Sequence, residues 1–562
     1  MRGNSDLDSL DYEVIVIGAG VAGIYQIKRL VDLGVKATVL DGAGGVGGTW
    51  YWNRYPGARF DSESYTYGYS FSREVLDEWH WKERFSSQPE NLRYLNFVAD
   101  KFDLKKHMQF NCRVERAYYE EDGDFWRLGL ADGRTLTSRF LILAIGLVSA
   151  PTMPRIEGIG DFRGPSWHTY NWPHEPVDLA GKRVGVVGTG ATGIQVISEI
   201  ADKVGELKVF QRRPNWSAPL NNSAISEQEM AEIRARYDEI FEICARTPGG
   251  FVHEPDRRGF WNVSREERLA LWDRLYDEPG FGIWLQNFVE IFTDEKANAE
   301  FSGYIADRIR RRVTDPVVAE KLIPRDHGFG VQRLPLETNY FEVYNRDNVE
   351  LVSLQDTPIE RVTETGIRTT ERDYELDLIV YATGFDGITG AFDRIDIRGV
   401  GGEPLRQKWS EGPRTYLGIF VHGFPNLLMP TGPQSASAVT NFPRGIETGV
   451  DWVTELIEHA RERGCTRIEA TEAAEQDWNR TVADIYEALL MRKAKSWFTG
   501  YNSNVDGHGA GRIRYMAYNG GAPKYKAILR DVAGRGYAGV DLVSAGSAVS
   551  PAGPPPLRAV KA

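Results

Sequence analysis

Two glycine-rich turns, and the charges that follow them, carry the most legible chemistry in this chain. Gly18-Ala19-Gly20-Val21-Ala22-Gly23 and Gly188-Thr189-Gly190-Ala191-Thr192-Gly193 each read G-x-G-x-x-G. In such a turn the first glycine permits the sharp reversal and the second lets backbone approach a pyrophosphate. The third lets the next helix pack closely on the strand. That helix then offers unpaired N–H groups and a positive dipole end to the phosphates. The two turns differ in the charge that ends the following strand. After the first it is Asp41, which can accept hydrogen bonds from ribose hydroxyls and repels a 2′-phosphate. After the second it is Gln211-Arg212-Arg213, whose guanidinium groups suit a 2′-phosphate through charge-assisted hydrogen bonds. The pattern predicts FAD at Gly18, Gly20, Gly23 and Asp41, and NADPH at the second turn with Arg212 and Arg213.

The elements that must position these groups are equally plain. Tyr12-Glu13-Val14-Ile15-Val16-Ile17 is a β-branched run typical of a buried parallel strand. It enters the first turn directly, helical spacing follows from Ile24 to Leu33, and Ala37–Leu40 gives the next strand. Lys182–Val187, the second turn, Ile194–Ile197 and Leu207–Phe210 repeat the order. From Gln109, Asp122-Gly123 and Asp132-Gly133 mark hairpin turns between further strands, the last of them Phe140–Leu143. Strand character returns at Asn348–Val352 and at Leu376–Tyr381. Between them, Ser226-Glu227-Gln228-Glu229 reads as a capping box. Met230, Ile233, Tyr237, Ile240, Phe241 and Cys244 then fall on one helical face, a packing stripe. The fold class is α/β, with two Rossmann-like dinucleotide-binding domains and a helical insertion in the second. The expected division is an FAD-binding domain from 1–146 and 387–543, and an NADPH-binding domain at 147–386 with its insertion at about 220–330. A disordered, proline-containing tail is expected at 544–562.

Two further stretches are more specific. Phe162-Arg163-Gly164-Pro165-Ser166-Trp167-His168-Thr169-Tyr170-Asn171-Trp172 reads F-x-G-x-x-x-H-x-x-x-W and lies between the two glycine turns. Gly47-Gly48-Thr49-Trp50-Tyr51-Trp52-Asn53-Arg54-Tyr55-Pro56-Gly57-Ala58-Arg59-Phe60-Asp61 reads G-G-x-W-x-x-x-x-Y-P-G-x-x-x-D. With both motifs and both turns in this order, the chain resembles the type I Baeyer–Villiger monooxygenases over nearly its whole length. These flavoenzymes use NADPH and O2 to convert a ketone to an ester or lactone through a C4a-peroxyflavin.

The resemblance implies roles that composition does not. On composition Arg333 is one arginine among many, with a surface role as the default. In the family, the segment before Asn339-Tyr340-Phe341-Glu342-Val343 carries the catalytic arginine, which makes Arg333 that residue. Asp61, at the end of a loop over the flavin, is implied to contact it. Gly48, Thr49, Trp50, Asp61 and Tyr67 are implied to bind FAD. Thr189, Thr192, Gln195, Arg333 and Trp497 join the NADP residues, with Trp497 on a lid that begins Ser496-Trp497-Phe498-Thr499-Gly500-Tyr501-Asn502. Phe162, Gly164, His168 and Trp172 are implied to couple domain motion to reduction, with His168 on the linker. Leu147, Ser437, Ala438, Val439 and Phe442 are implied to line the substrate pocket. The chain also departs from its relatives. Phe60 stands where many have cysteine, Gln332 where many have lysine, Ile145 where Ala-Thr-Gly is usual, and Ser503-Asn504-Val505 where Ile-Pro-Gly-Lys is usual.

Composition narrows what else the protein can be. Hydrophobic content of 42% and charged content of 26% are those of an ordinary globular chain. The net charge of −12, with no local basic patch, argues against nucleic acid as a partner. The longest apolar run, Phe140–Val148, is too short to span a bilayer, and the polar start resembles no secretion signal. The cysteines, Cys112, Cys244 and Cys465, form no close pair, which points to a reducing, cytoplasmic setting and no metal site. The expected partners are a ketone and O2, with the protein a monomer or weak dimer. Two rival functions use the same turns: a flavin-dependent S- or N-oxygenase and a non-catalytic NADPH-sensing flavoprotein.

Overall fold

Each glycine turn follows an interior strand flanked by two parallel neighbours in its own sheet in the computed structural model, which describes residues 9–509 and 512–544. In the first sheet β1 (Tyr12–Ile17) lies between β2 (Ala37–Leu40) and the long β6 (Thr135–Leu143), both parallel to it. Helix α1 (Val21–Asp32) makes the crossover. β3 (Met108–Gln109) extends the sheet past β2. On the other side β4 (Val114–Glu120), β5 (Phe125–Leu130) and β6 run antiparallel around the Asp-Gly turns. Apolar residues on both faces of β1 explain its central place: Val14 and Val16 join one core cluster and Ile15 joins another.

The second sheet is parallel throughout. It contains β7 (Ser166–His168), β8 (Arg183–Val187), β9 (Glu206–Gln211), β10 (Val349–Ser353) and β11 (Leu378–Tyr381), in the order β10-β9-β8-β11-β7. Helix α2 (Ala191–Ile200) follows its glycine turn. The chain then returns to the first sheet with β12 (Asp396–Arg398) on β4 and β13 (Leu427–Leu428) on β6.

The insertion is helical, but two details differ from the sequence reading. Its first stripe is not one helix: α3 (Glu227–Ala235) ends at Arg236, whose φ of −114° and ψ of 10° are non-helical, and α4 (Tyr237–Arg246) starts afresh. Met230, Ile233, Tyr237, Ile240 and Cys244 still reach one core, and it is the core shared with β1 and α1. The box at Ser226 is half formed. Ser226 Oγ accepts from Glu229 N at 3.1 Å, but the Glu229 carboxylate takes Arg84 Nη2 instead. The complete box starts α5 (Arg265–Asp277), between Ser264 and Glu267. α6 (Glu295–Arg312) is capped by Asp294.

Near the C-terminus α7 (Phe442–Glu462) lies along α1. Gln26 Nε2 donates to Thr454 Oγ1 at 2.9 Å and Tyr25 OH to Asp451 at 2.6 Å. The first pair is buried, and truncating Thr454 would strand the Gln26 amide at about 1–3 kcal/mol. The expected tail lies outside the described residues except for Ser544, which ends a strand (Val540–Ser544) paired antiparallel with Cys465–Ala470. Among the described residues no helix is long and apolar enough to cross a membrane.

Candidate active site

The two glycine turns are built alike. Gly18 has φ of +105° and Gly188 +109°, values open to glycine but strained for other residues. A Cβ on Gly23 would overlap the Gly18 carbonyl, and one on Gly193 the Gly188 carbonyl. The middle glycines differ. A Cβ on Gly190 would meet nothing within 4 Å, leaving open space over the helix start, whereas one on Gly20 would meet Gly48 Cα at 3.4 Å. Gly48, at φ +53°, thus closes the motif loop against the first turn. Neither α1 nor α2 has a side-chain cap or an acid in its first turn, so both present free N–H groups to a phosphate. These are the features two dinucleotides require, and the residues fit both.

Asp41 is placed by the backbone it serves. Its carboxylate accepts from Ala19 N at 2.6 Å and from Ala43 N at 2.7 Å, which fixes the entry to the first turn. Burial nevertheless raises its pKa. Thr49 opens a short helix (Thr49–Trp52). Trp50 Nε1 donates to Tyr67 OH at 2.8 Å, and Tyr67 stacks on Phe60 with ring centroids 4.1 Å apart. Phe60 is therefore part of an aromatic wall, where a cysteine could not serve.

The second turn opens on a cleft of about 730 Å³. Gly188, Thr189, Gly190 and Thr192 form one wall; Arg212, Arg213, Gln332, Arg333 and Trp497 also line it. Thr189 Oγ1 donates to the Arg213 carbonyl at 3.0 Å. Arg212 Nη1 donates to Ser503 Oγ at 2.6 Å, while Arg213 lies 3.4 Å from Asp326 and over the Tyr501 ring. Burial, then Arg213, lowers the Arg212 pKa. Arg213 already shares its charge with a carboxylate, so Arg212 is the stronger unspent cation. Replacing both with alanine is expected to weaken NADPH about tenfold or more, from lost charged hydrogen bonds of ~1.5–3 kcal/mol each, with Arg212→Ala the larger single effect. NADH should change little. The dependence of flavin reduction on each nucleotide's concentration measures this, and equal weakening of both would remove 2′-phosphate recognition from the pair.

One expected nucleotide residue is elsewhere. Gln195 does not line the cleft: its Oε1 accepts from Tyr55 OH at 2.8 Å and its Nε2 donates to the Arg59 carbonyl at 2.9 Å. The motif loop competes for this amide because Gly57 brings it against α2, where a Cβ would meet the Gln195 carbonyl at 2.6 Å.

Arg333 and Asp61 meet at 3.8 Å where the two halves adjoin, with side chains 26% and 14% exposed. The guanidinium lies 4.7 Å over the Phe281 ring and 5.9 Å from that of Trp284, both from the insertion. Cation–π contact and one carboxylate hold it, and burial pulls its pKa below the ordinary value while Asp61 opposes. Burial also pushes Asp61 up to about 6, against the attraction of Arg333 and Arg59. A cation fixed in a poorly hydrated place can stabilise negative charge that develops on oxygen nearby.

His168 corrects an expectation. It is not on a free linker but ends β7, paired with Tyr381 of β11, and its side chain is buried. Nδ1 accepts from Tyr170 N at 3.1 Å and Nε2 donates to the Gly384 carbonyl at 3.0 Å. Both nitrogens are engaged, and burial lowers its pKa to about 4, so the ring is neutral and unsuited to proton transfer. Trp172 is buried in the second core, 5.7 Å from Trp167. Phe162 folds back on Gly164, where a Cβ would meet the ring at 2.6 Å.

Leu147, Val439 and Phe442 gather in one apolar cluster with Ile388, Met516, Ala517 and Trp497. The side chains of Ser437 and Ala438 lie outside the described residues. Ile388 and Met516 were not anticipated. No sequence signal marks Ile388, a β-branched residue held at φ +70° with its N–H on the Leu147 carbonyl at 2.6 Å, the sort of strain that concentrates at functional sites. Phe442 and Trp497 also line the nucleotide cleft, so the cluster adjoins it.

Two glycine turns on two sheets, with a cation and a carboxylate between them, suit a protein that binds two dinucleotides. A family model described as flavin-binding monooxygenase-like matches residues 11–223. The 2-oxo-Δ3-4,5,5-trimethylcyclopentenylacetyl-CoA monooxygenase of Pseudomonas putida is 45% identical, across 94% of this chain and 98% of its own. A phenazine N-monooxygenase from Lysobacter antibioticus is 39% identical, across 96% and 98%. The crystal structure of OTEMO in complex with FAD and NADP superposes with a TM-score of 0.91 at 44% identity, covering 95% of this chain and 100% of that one. The chain belongs to the Baeyer–Villiger monooxygenase family and is an FAD- and NADPH-dependent monooxygenase.

Proposed function

We propose that this enzyme converts a ketone to an ester or lactone beside Arg333, with the apolar cluster around Leu147, Ile388 and Phe442 receiving the ketone's hydrocarbon part. The Asp61–Arg333 pair at 3.8 Å carries this reading, because reduction of a flavin by a nucleotide needs no such fixed cation. When bound, FAD accepts hydride from NADPH and activates O2. The protein's share is to bind, orient and exclude water. Gly18, Gly20, Gly23, Asp41 and the Gly48–Trp50 loop hold the flavin nucleotide. Arg212 and Arg213 would hold the NADPH phosphate, and Trp497 would contact the same nucleotide from the other side of the cleft. Arg333 would stabilise negative charge developing on oxygen, and Asp61 would keep Arg333 in place. Residues 1–146 and 387–543 form the flavin unit and 147–386 the nucleotide unit. His168, bonded to Gly384 between β7 and β11, transmits movement of one to the other. The setting is cytoplasmic and the chain a monomer or weak dimer.

The resemblance to a phenazine N-monooxygenase supports nitrogen oxidation as a second reading. Product identification from linear, cyclic, aromatic and polycyclic ketones together with aromatic N-heterocycles separates the two. Esters or lactones are expected. N-oxides alone would favour the second reading, and NADPH oxidation unmoved by any substrate would overturn both.

A further inference from the structure

We propose that Asp386, His508 and Arg514 form a latch that holds residues 501–509 closed over the nucleotide cleft and so sets how long a nicotinamide dinucleotide stays bound. This rests on reading that cleft as the NADPH site. The segment has no helix or strand of its own, so its position depends on tethers. Asn502 N donates to the His508 carbonyl at 2.7 Å, closing the segment on itself, and Asn502 Nδ2 donates to the Phe385 carbonyl at 3.0 Å. Arg155 and Asp506 pair at 2.8 Å, but both are exposed, and such a pair contributes little in water. The tether at His508 is better shielded. His508 Nδ1 lies 3.2 Å from Asp386 Oδ1, with the two side chains 11% and 13% exposed.

The third member fixes the ring's proton. Arg514 Nη1 lies 2.6 Å from His508 Nε2. A guanidinium can only donate, so Nε2 accepts and Nδ1 carries the hydrogen that faces Asp386. Arg514 Nη2 also donates to the carbonyls of Gly507 and Ser410, at 3.1 and 3.0 Å. The latch thus joins the turn after β11, the segment itself, and the chain that leads to Met516. Its closure has a chemical consequence at the cleft, because the same segment places Ser503 on Arg212 and Tyr501 under Arg213. Asp386, His508 and Arg514 are positioning residues: none lines the cleft.

The test is His508→Ala, a change in a loop that leaves both sheets intact, with NADP+ release followed by rapid displacement. Release should accelerate about tenfold, the effect of losing the charged hydrogen bond from Arg514. The KM for NADPH should rise, while flavin content and the limiting rate of flavin reduction at saturating NADPH stay at wild-type values. His508→Asn, which keeps a donor toward Asp386, should fall between. A merely structural role would lower flavin content or the limiting rate instead. If NADPH reduces the wild-type flavin but NADP+ leaves His508→Ala at the wild-type rate, the latch is wrong and the cleft assignment stands. If NADPH does not reduce the wild-type flavin, the cleft assignment fails and the latch with it.

Discussion

Arg333→Ala is expected to leave an enzyme that still consumes NADPH, releases hydrogen peroxide and makes almost no ester. The guanidinium is held over Phe281 and Trp284 and faces one carboxylate at 3.8 Å, and alanine leaves that place without its positioned charge. Nucleotide binding rests chiefly on the second glycine turn and on Arg212 and Arg213, none of which the substitution touches. Reduction should therefore survive at a lower rate. Oxygen insertion builds negative charge on oxygen, and losing one positioned donor in a water-poor site costs roughly 3–4 kcal/mol. That is on the order of a hundredfold or more in rate. NADPH consumed, peroxide released and ester formed, measured in one reaction, give the answer. A wild-type ester yield would make Arg333 part of the scaffold.

Asp61→Asn should be catalytically poor and yet more stable than the wild type at neutral pH. Burial raises the Asp61 pKa from 3.8 to about 6, with the pull of Arg333 and Arg59 already included. Between those values the folded protein binds a proton that the unfolded chain has released. Stability therefore falls as pH rises through that window. Above about pH 6 the ionised carboxylate costs up to about 3 kcal/mol, from two units at ~1.36 kcal/mol each. Asparagine removes that cost, and it also removes the charge that holds Arg333. Denaturant unfolding at pH 7 should show a gain of about 1–3 kcal/mol that vanishes below about pH 4, and ester yield should drop as for Arg333→Ala. The wild type's own ester yield should fall as pH drops through about 6. A variant less stable than wild type at pH 7 would mean that the pair with Arg333 outweighs burial.

How much of this was legible in the sequence depends on how local each cause is. The strands beside both glycine turns, and the Asp-Gly hairpins, follow from short periodic runs, and the structure puts them where expected. Arg333 was legible only through the family resemblance, since nothing in Gln332-Arg333-Leu334 distinguishes it. The misses have distant causes. Glu229 abandons its capping box for Arg84, the Gln195 amide bonds Tyr55 and Arg59 instead of lining the cleft, and His168 gains a strand partner in Tyr381. Each is a competition decided by a residue far along the chain. Ile388 shows the limit most clearly, because its backbone conformation opposes its own propensity.

The Gln195 amide has a mechanical consequence. The loop that ends in Asp61 is bonded to α2 of the second sheet through Tyr55 OH and the Arg59 carbonyl, although its chain grows out of the first. Any rotation of one sheet against the other must either break those two hydrogen bonds or drag the loop along. Asp61, two residues past Arg59, would then travel with the second sheet and with whatever its glycine turn holds.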